Sequence, residues 1–190
     1  MVLMTSCPIV LVGLPGAGKT TVGRNLARSG GLDFLDTDQM IESKIGCTIR
    51  EYFEQNGEAA FREVESLTIE GLIGRGGCVI STGGGAVLAD KNRQILAKYF
   101  HCIYLRATPE DLFRRLRHDR KRPLLQVADP LQTIKQLYLV RDPLYLEVAK
   151  LVVDTGRPSV RTLVETITHE LQLASGAMTP GVAIEDPCRH

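Results

Sequence analysis

The sequence lacks the features that mark a membrane or secreted protein. No apolar run approaches the roughly 20 residues that a membrane-spanning helix needs. Residues 1–7 carry no basic region and lead directly into an apolar segment, so we expect no signal peptide. The chain also lacks an excess of charge of either sign. Its net charge of +1 argues against nucleic acid or an anionic membrane as the main partner.

Cysteine is scarce and scattered. The five cysteines are odd in number and form no C-x-x-C pair; they are Cys7, Cys47, Cys78, Cys102 and Cys188. We therefore expect neither a disulfide framework nor a zinc site. Reduced thiols are typical of a cytoplasmic protein, and a cytoplasmic location is predicted.

What the chain does contain is one highly specific motif. Residues 13–20, GLPGAGKT, match G-x-x-x-x-G-K-[ST] between an apolar run at 8–12 and a helical segment at 21–28. The glycines let backbone N–H groups approach phosphate oxygens, and the helix directs its positive end at the same anion. Chance would produce the four fixed positions somewhere in such a chain with a probability on the order of one per cent, which disfavours the alternative of an ordinary glycine-rich turn. We therefore interpret the chain as binding a nucleoside triphosphate, with Lys19 reaching the phosphates and Thr20 able to ligate Mg²⁺.

Short apolar segments alternate with helical ones over the 190 residues, a length that suits one domain. Helix-start signals stand at Thr48, Thr108 and Asp129, and Pro143 is expected to kink or restart its helix. A last helix is predicted at 158–173, and the tail 174–190 is expected to be mobile. The alternation predicts an α/β fold in three layers, with a five-stranded parallel sheet flanked by helices. The predicted strands are residues 8–12, 32–35, 78–81, 101–105 and 151–153.

Two acids follow the second predicted strand, at the edge where ligands of such sheets bind. Asp36 and Asp38 are the candidates for Mg²⁺, because residues 78–82 of the third strand contain no acid. One would attend to the metal, and the other would accept or orient the attacking hydroxyl. In extended backbone, side chains two residues apart point the same way, so both can face the cleft. The alternative is that Asp38 is the N-cap of a helix starting at Gln39.

Three further segments allow both a functional and a structural interpretation. On spacing alone, Arg62 is better explained as part of an exposed ion-pair face with Glu58 and Glu65. The three successive glycines at 83–85 are costly to order, so close approach of a ligand explains them better than a plain turn. Arg141 precedes a proline at an expected helix break. It is aimed either into a cleft or at a structural salt-bridge partner, and the sequence favours neither.

A basic segment follows the fourth predicted strand. Residues 114–122 carry six cations against Asp119 alone. Like charges within a Debye length, about 8–10 Å, should resist ordering until an anion neutralises them. We therefore predict a mobile lid over residues 114–125 that closes on a triphosphate and excludes water. A solvated basic face is the alternative.

Taken in order, these segments resemble the shikimate kinase family. The likeness runs from about residue 8 to 173, and only its first motif is specific by itself. The resemblance implies a P-loop kinase domain over 1–173, transfer of the γ-phosphate of ATP to the 3-hydroxyl of shikimate, and Mg²⁺ as cofactor. We expect a monomer with no nucleic-acid or membrane partner. The matching stretches are GLPGAGKTT at 13–21, FLDTD at 34–38, FRxxE at 61–65, GGGAV at 83–87, RPLL at 122–125 and RxPLY at 141–145.

The same resemblance implies roles for individual residues. Lys19, Asp38 and Arg122 would be catalytic, and Thr20 with Asp36 would hold Mg²⁺. Two arginines of the shikimate site would hold its carboxylate through their forked donors. The shikimate site would consist of Asp38, Arg62, Gly84, Gly85 and Arg141, with Phe53 and Phe61 as walls. The ATP site would consist of Gly16, Ala17, Gly18, Lys19, Thr20, Thr21, Arg115 (over the adenine), Arg122 and Arg157.

Other functions remain as alternatives. Gluconate and nucleoside-monophosphate kinases share the architecture, and the pair Arg62 and Arg141 is what discriminates against them. A GTPase switch is disfavoured because neither N-K-x-D nor D-x-x-G occurs in the chain. A catalytically silent binding module would be expected to have lost Lys19 or Asp38, and both are present.

Overall fold

A computed structural model describes residues 7–117, 127 and 129–176 of the chain. All five predicted strands are confirmed, each to within one residue at either end. The strands are β1 (Ile9–Val12), β2 (Asp33–Asp36), β3 (Cys78–Ser81), β4 (His101–Arg106) and β5 (Leu151–Asp154). The helices are α1 (Lys19–Gly30), α2 (Thr37–Ile45), α3 (Ile49–Glu70), α4 (Asp90–Tyr99), α5 (Pro109–Leu116), α6 (Pro130–Val148) and α7 (Val160–Gly176).

The strands form one parallel sheet in the order β2-β3-β1-β4-β5. At its centre, Ile9 of β1 is paired with Val79 of β3 on one side and with His101 of β4 on the other. Both β1 and β3 are buried along their whole length, as expected for strands covered on two faces. The predicted α/β architecture, a parallel sheet flanked by helices, is therefore confirmed. Since all strands run the same way, the segments that follow them emerge at one edge.

Side-chain caps fix several helix starts as predicted. Thr48 forms a capping box, in which its hydroxyl accepts from the Glu51 N–H and the Glu51 carboxylate accepts from the Thr48 N–H. Thr108 and Asp129 cap α5 and α6, and a proline takes the first helical position in both.

The start of α2 differs from the prediction. The helix begins at Thr37, and its N-cap is Asp36, whose carboxylate accepts from the Asp38 N–H at 3.1 Å. The expectation that Asp38 caps a helix starting at Gln39 is therefore wrong. The strand-alternation argument for Asp38 is also wrong, because Asp38 is already helical. The extended backbone of Asp36 (φ −122°, ψ 118°) lets one residue end the strand and cap the helix.

The helix break expected at Pro143 is also wrong. Helix α6 runs from Pro130 to Val148 with Pro143 inside it. A proline there lacks the N–H that would donate to the carbonyl of Leu139, four residues earlier. Leu139 is 74% exposed, so this turn lies at the surface, where water can serve the freed carbonyl. Arg141 therefore projects from the body of a helix.

The C-terminal helix is longer than predicted. Helix α7 continues to Gly176, so it includes residues that were predicted to belong to the tail. Residues 177–190 lie outside the described ranges, as do residues 118–125 of the predicted lid.

Cys47, Cys78 and Cys102 are free as expected, whereas Cys7 is disulfide-bonded, which corrects the expectation of reduced thiols at that position. Pairing depends on distance in space, which spacing in sequence does not show. Within the described part of the chain, no helix has the length and apolar character needed to cross a membrane.

Candidate active site

A cavity of about 390 Å³ opens at the carboxyl edge of the sheet. Its volume falls within the range of small-molecule sites, about 300–1,000 Å³, and its position is the usual one in parallel sheets. It is lined by Pro15, Gly16, Gly18, Lys19, Thr20, Thr21, Asp36, Asp38, Ser81, Thr82, Gly84, Arg115 and Leu116.

The loop between β1 and α1 forms the floor of this cavity. Gly13, Gly16 and Gly18 have φ of 146°, 84° and 96°, conformations that side chains with a Cβ rarely adopt. Gly18 is also the N-cap of α1, so the helix start, whose first N–H groups have no acceptor within the helix, lies at the cavity. The buried Lys19 ammonium donates to the carbonyls of Gly13 at 2.7 Å and Leu14 at 3.1 Å. The loop thus provides the N–H groups and the cation that a triphosphate requires.

Hard oxygen atoms meet at the start of α1. The Thr20 hydroxyl donates to Asp36 Oδ2 at 3.2 Å and lies 3.4 Å from the Ser81 hydroxyl. Among the residues that the structure describes, no three His, Cys, Asp or Glu side chains cluster as a complete metal site. Mg²⁺ in phosphate-transfer sites is held by only one or two protein oxygens, with phosphate and water supplying the rest. This oxygen set therefore fits Mg²⁺. Ser81, which pairs with Asp36 in the sheet, was not predicted; its position at the end of β3 was the available signal.

Asp38 reaches the cavity from the first turn of α2. A Cβ atom at Gly83 would lie 2.7 Å from Asp38 Oδ1 and 3.2 Å from Glu65 Oε1. Asp38, Glu65 and the glycine loop are therefore in close contact. The structure brings Asp38 into the same cavity as Lys19, as the hypothesis of a shared site requires.

Arg62 is held between two acids of its own helix. Its Nη1 donates to Glu65 Oε2 at 2.7 Å, while Nη2 donates to Glu58 Oε1 at 3.1 Å. The ion pairs of the structural interpretation thus exist, but they are not simply surface pairs. The Arg62 side chain is 21% exposed and that of Glu65 only 2%.

Glu65 is the buried acid of the site, and sequence reasoning noted it only as a partner of Arg62. Burial raises the pKa of Glu65 above its usual value, while the positive charges of Arg62 and Arg141 oppose the shift and the charge of Asp38 adds to it. The three charged residues of the predicted acceptor site, Asp38, Arg62 and Arg141, therefore lie close enough to act on one carboxyl group. The available signal for Glu65 in the sequence was its position three residues after Arg62, on an apolar face of the helix.

Close neighbours explain why glycine occupies positions 83–85. Added Cβ atoms would lie 2.8 Å from Pro15 Cδ at Gly84 and 2.5 Å from Arg62 Nη1 at Gly85. None of the three glycines has a positive φ. The close neighbours are thus protein side chains, in addition to any ligand, and close approach is what requires glycine here.

Arg141 and Tyr145 approach the same loop from α6. Arg141 Nη1 and the Tyr145 hydroxyl both donate to the carbonyl of Gly84, at 3.0 and 2.6 Å. The buried ring of Tyr145 stacks on Tyr104 of β4 with centroids 4.9 Å apart. Tyr104 in turn donates to Asp142 at 2.7 Å, so the turn that carries Arg141 is fixed to the sheet.

The remaining predicted residues are only partly brought to the site. Arg115 lines the cavity and donates to the Thr155 hydroxyl at 3.1 Å and to the Thr155 carbonyl. Arg157 is exposed and is not among the lining residues. Arg122 lies outside the described residues. Phe53 and Phe61 pack with ring centroids 4.5 Å apart, beside Arg62.

Comparison with known proteins gives one consistent result. The family model described as "Shikimate kinase" matches residues 15–172. The shikimate kinase of Cupriavidus pinatubonensis is 46% identical over 179 residues, which cover 94% of this chain and 93% of the relative.

Solved structures agree with this. A shikimate kinase from Acinetobacter baumannii, solved in complex with shikimate, has a TM-score of 0.84 and 41% identity, and the match covers 93% of this chain and 98% of that one. A gluconokinase from Sinorhizobium meliloti has a TM-score of 0.54 at 18% identity over 90% of this chain and 95% of its own. At that identity the likeness shows the fold alone.

Proposed function

The chain belongs to the shikimate kinase family, and on this premise we propose how its residues divide the reaction. The enzyme transfers the γ-phosphoryl group of ATP to the 3-hydroxyl of shikimate, a step towards the aromatic amino acids. One observation supports the division of roles above all others. The phosphate-binding loop, Asp38, Arg62 and Arg141 meet around the glycines at 83–85.

On the donor side, residues 16–21 bind the ATP phosphates through backbone N–H groups, and Lys19 moves from its carbonyl partners to the β- and γ-phosphates. Arg115, fixed by Thr155 at the cavity wall, contacts the adenine. Arg122 supplies a second cation to the transferring group. Arg157 is a further adenine contact, and because it is exposed it would have to turn inward.

Thr20 and Asp36 hold Mg²⁺, in keeping with their 3.2 Å contact and their hard oxygen atoms. When bound, Mg²⁺ neutralises charge on the phosphate oxygens. Asp36 then has two functions, since its other oxygen caps α2 and fixes the position of Asp38.

On the acceptor side, Arg62 and Arg141 bind the shikimate carboxylate, which suits their forked donors. The backbone of Gly84 and Gly85 borders the ring, with Phe61 and Phe53 as an apolar wall. Asp38 orients the 3-hydroxyl and accepts its proton as the oxygen–phosphorus bond forms. Because the transition state is loose, most of the acceleration comes from positioning and charge.

The wider context of this enzyme is also proposed. We expect a cytoplasmic monomer whose domain spans residues 1–173, with residues 114–125 closing over ATP as a lid. No role is assigned to the tail.

The test is ADP formation with and without shikimate, with gluconate and nucleoside monophosphates as competing acceptors. With ATP present, ADP should form at a high rate when shikimate is the acceptor and not with the other acceptors. The Asp38→Asn substitution should abolish most of this activity. Asp33→Asn is the matched control, since Asp33 is exposed at the opposite end of β2. An equal rate with gluconate would contradict the acceptor assignment, and full activity in Asp38→Asn would contradict the role of Asp38.

A further inference from the structure

The guanidinium of Arg62 has two differently occupied edges. Its Nη1 donates to Glu65, whereas Nε and Nη2 both donate to the single oxygen Glu58 Oε1, at 3.3 and 3.1 Å. The Nε and Nη2 pair is an edge that binds a carboxylate with two parallel hydrogen bonds. Glu58 therefore occupies a carboxylate-binding edge of Arg62 with only one of its oxygens.

The two acids differ in how firmly they are held. The Glu65 side chain is 2% exposed, and removing its charge partner would leave a buried carboxylate uncompensated. The Glu58 side chain is 64% exposed, and exposed pairs four residues apart on a helix stabilise only weakly. While it is ionised, Glu65 is thus the firmly held partner of Arg62, and Glu58 is a replaceable one.

The backbone favours the release of Glu58. The residue before it, Gly57, has φ 78° and ψ 174° and interrupts α3. Glu58 therefore stands in the first turn of the second half of α3, where the helix dipole stabilises a negative charge whether or not Arg62 is bound. Glu58 therefore keeps a favourable environment when it is not bound to Arg62.

We propose that Glu58 is an internal competitor of the acceptor's carboxylate for Arg62. The inference rests on the proposed role of Arg62 in binding that carboxylate. Glu58 holds the Nε and Nη2 edge until shikimate, which can make two hydrogen bonds there, displaces it. Weakly binding anions that make only one contact gain little over Glu58, so the contact also acts as a filter for carboxylates that fit the whole site.

The experiment compares three variants of the full-length enzyme at saturating ATP. Glu58→Gln should lower KM for shikimate about two- to fivefold with kcat unchanged, the scale of an exposed ion pair, about 0.4–1 kcal/mol. Glu58→Asp should lower it similarly, because the shorter side chain cannot reach an Arg62 that Glu65 fixes in place. Glu54→Gln is the matched control. Glu54 forms the same kind of exposed pair with Arg50 on the same helix, at 3.0 Å, and its replacement should leave KM unchanged.

Each alternative outcome has a defined meaning. An unchanged or higher KM in Glu58→Gln would overturn the proposal, since Glu58 would then be neutral or would help to orient Arg62. A lower KM in Glu58→Gln with a wild-type value in Glu58→Asp would also overturn it, because long-range repulsion would be the cause.

Arg62→Ala separates this inference from the proposed function. It should raise KM for shikimate strongly, and adding Glu58→Gln to it should have no further effect. If Arg62→Ala leaves KM for shikimate unchanged, the role of Arg62 itself fails. If it raises KM while Glu58→Gln behaves like Glu54→Gln, only the inference about Glu58 fails.

Discussion

Replacing Gly85 by alanine perturbs the guanidinium of Arg62 first, because the three atoms nearest the new Cβ all belong to it. The new Cβ would lie 2.5 Å from Nη1, 2.7 Å from Nη2 and 2.9 Å from Cζ of Arg62. Gly85 does not have a positive φ, so alanine can adopt its backbone conformation. The clash is with the far end of a long side chain, so Arg62 can yield without movement of the backbone, at the expense of its contacts with Glu58 and Glu65.

The size of the effect follows from the required displacement. The guanidinium must retreat from 2.5 Å to an ordinary contact distance of about 3.4 Å, a shift of roughly 0.9 Å. A misplacement of about 1 Å in a positioning residue can reduce activity by up to about a hundredfold. Loss of a charged hydrogen bond, about 1.5–3 kcal/mol, gives a similar range. We therefore expect KM for shikimate to rise about 10- to 100-fold, with KM for ATP changing less than about twofold.

The assay is steady-state kinetics with each substrate varied in turn, together with a thermal melt. Gly71→Ala is the control, because it adds the same methyl group at a residue with φ −67° whose nearest neighbour would be the Leu67 carbonyl at 3.4 Å. It should leave both KM values unchanged. A wild-type KM for shikimate in Gly85→Ala, or a rise in KM for ATP instead, would refute the placement of Arg62.

Three further predictions concern other parts of the site. Lys19→Met should lower kcat by at least about a hundredfold in a coupled ADP assay, the scale of losing one preorganised charge contact, and near-normal turnover would refute its role. Tyr145→Phe removes the 2.6 Å hydrogen bond to the partly buried carbonyl of Gly84. Because that carbonyl loses one of its donors, at about 1 kcal/mol, KM for shikimate should rise severalfold in the same assay, and an unchanged KM would count against coupling through Gly84. Burial raises the pKa of Glu65, so as pH falls Glu65 should become protonated at a higher pH than an ordinary carboxyl group and release Arg62. KM for shikimate should therefore rise as the pH falls, and a KM–pH profile of Glu65→Gln should lack this rise.

Much of the fold could be predicted because its signals are local. The apolar run of residues 78–81 gave the bounds of β3 without error, and the capping box at Thr48 fixed the start of α3. The phosphate-binding loop combines glycine positions with a strand and a helix, so its cavity was predictable as well. These features depend on residues within one turn or strand of each other.

The errors arose where a local signal was satisfied by tertiary structure. Asp36 replaced Asp38 as the cap because strand and helix adjoin without a loop. Pro143 did not break α6, since the turn is at the surface and Tyr104 fixes Asp142 to the sheet. The burial of Glu65 also depends on the approach of residues 83–85 in the loop after β3, which the spacing of Glu65 from Arg62 does not show by itself. The disulfide at Cys7 likewise depends on proximity in space.

The hydrogen bonds of Lys19 within its own loop bear on how the enzyme releases its products. The Lys19 ammonium donates to the carbonyls of Gly13 and Leu14 at 2.7 and 3.1 Å, so the loop itself supplies acceptors for the lysine. With Lys19 in its proposed role, nucleotide binding would exchange these two hydrogen bonds for contacts to phosphate, and the affinity would be a difference between the two sets of bonds. After transfer, ADP has no γ-phosphate, and the Lys19 ammonium can again donate to the carbonyls of Gly13 and Leu14. On the proposed role of Lys19, the loop that binds ATP would thus also favour the release of ADP.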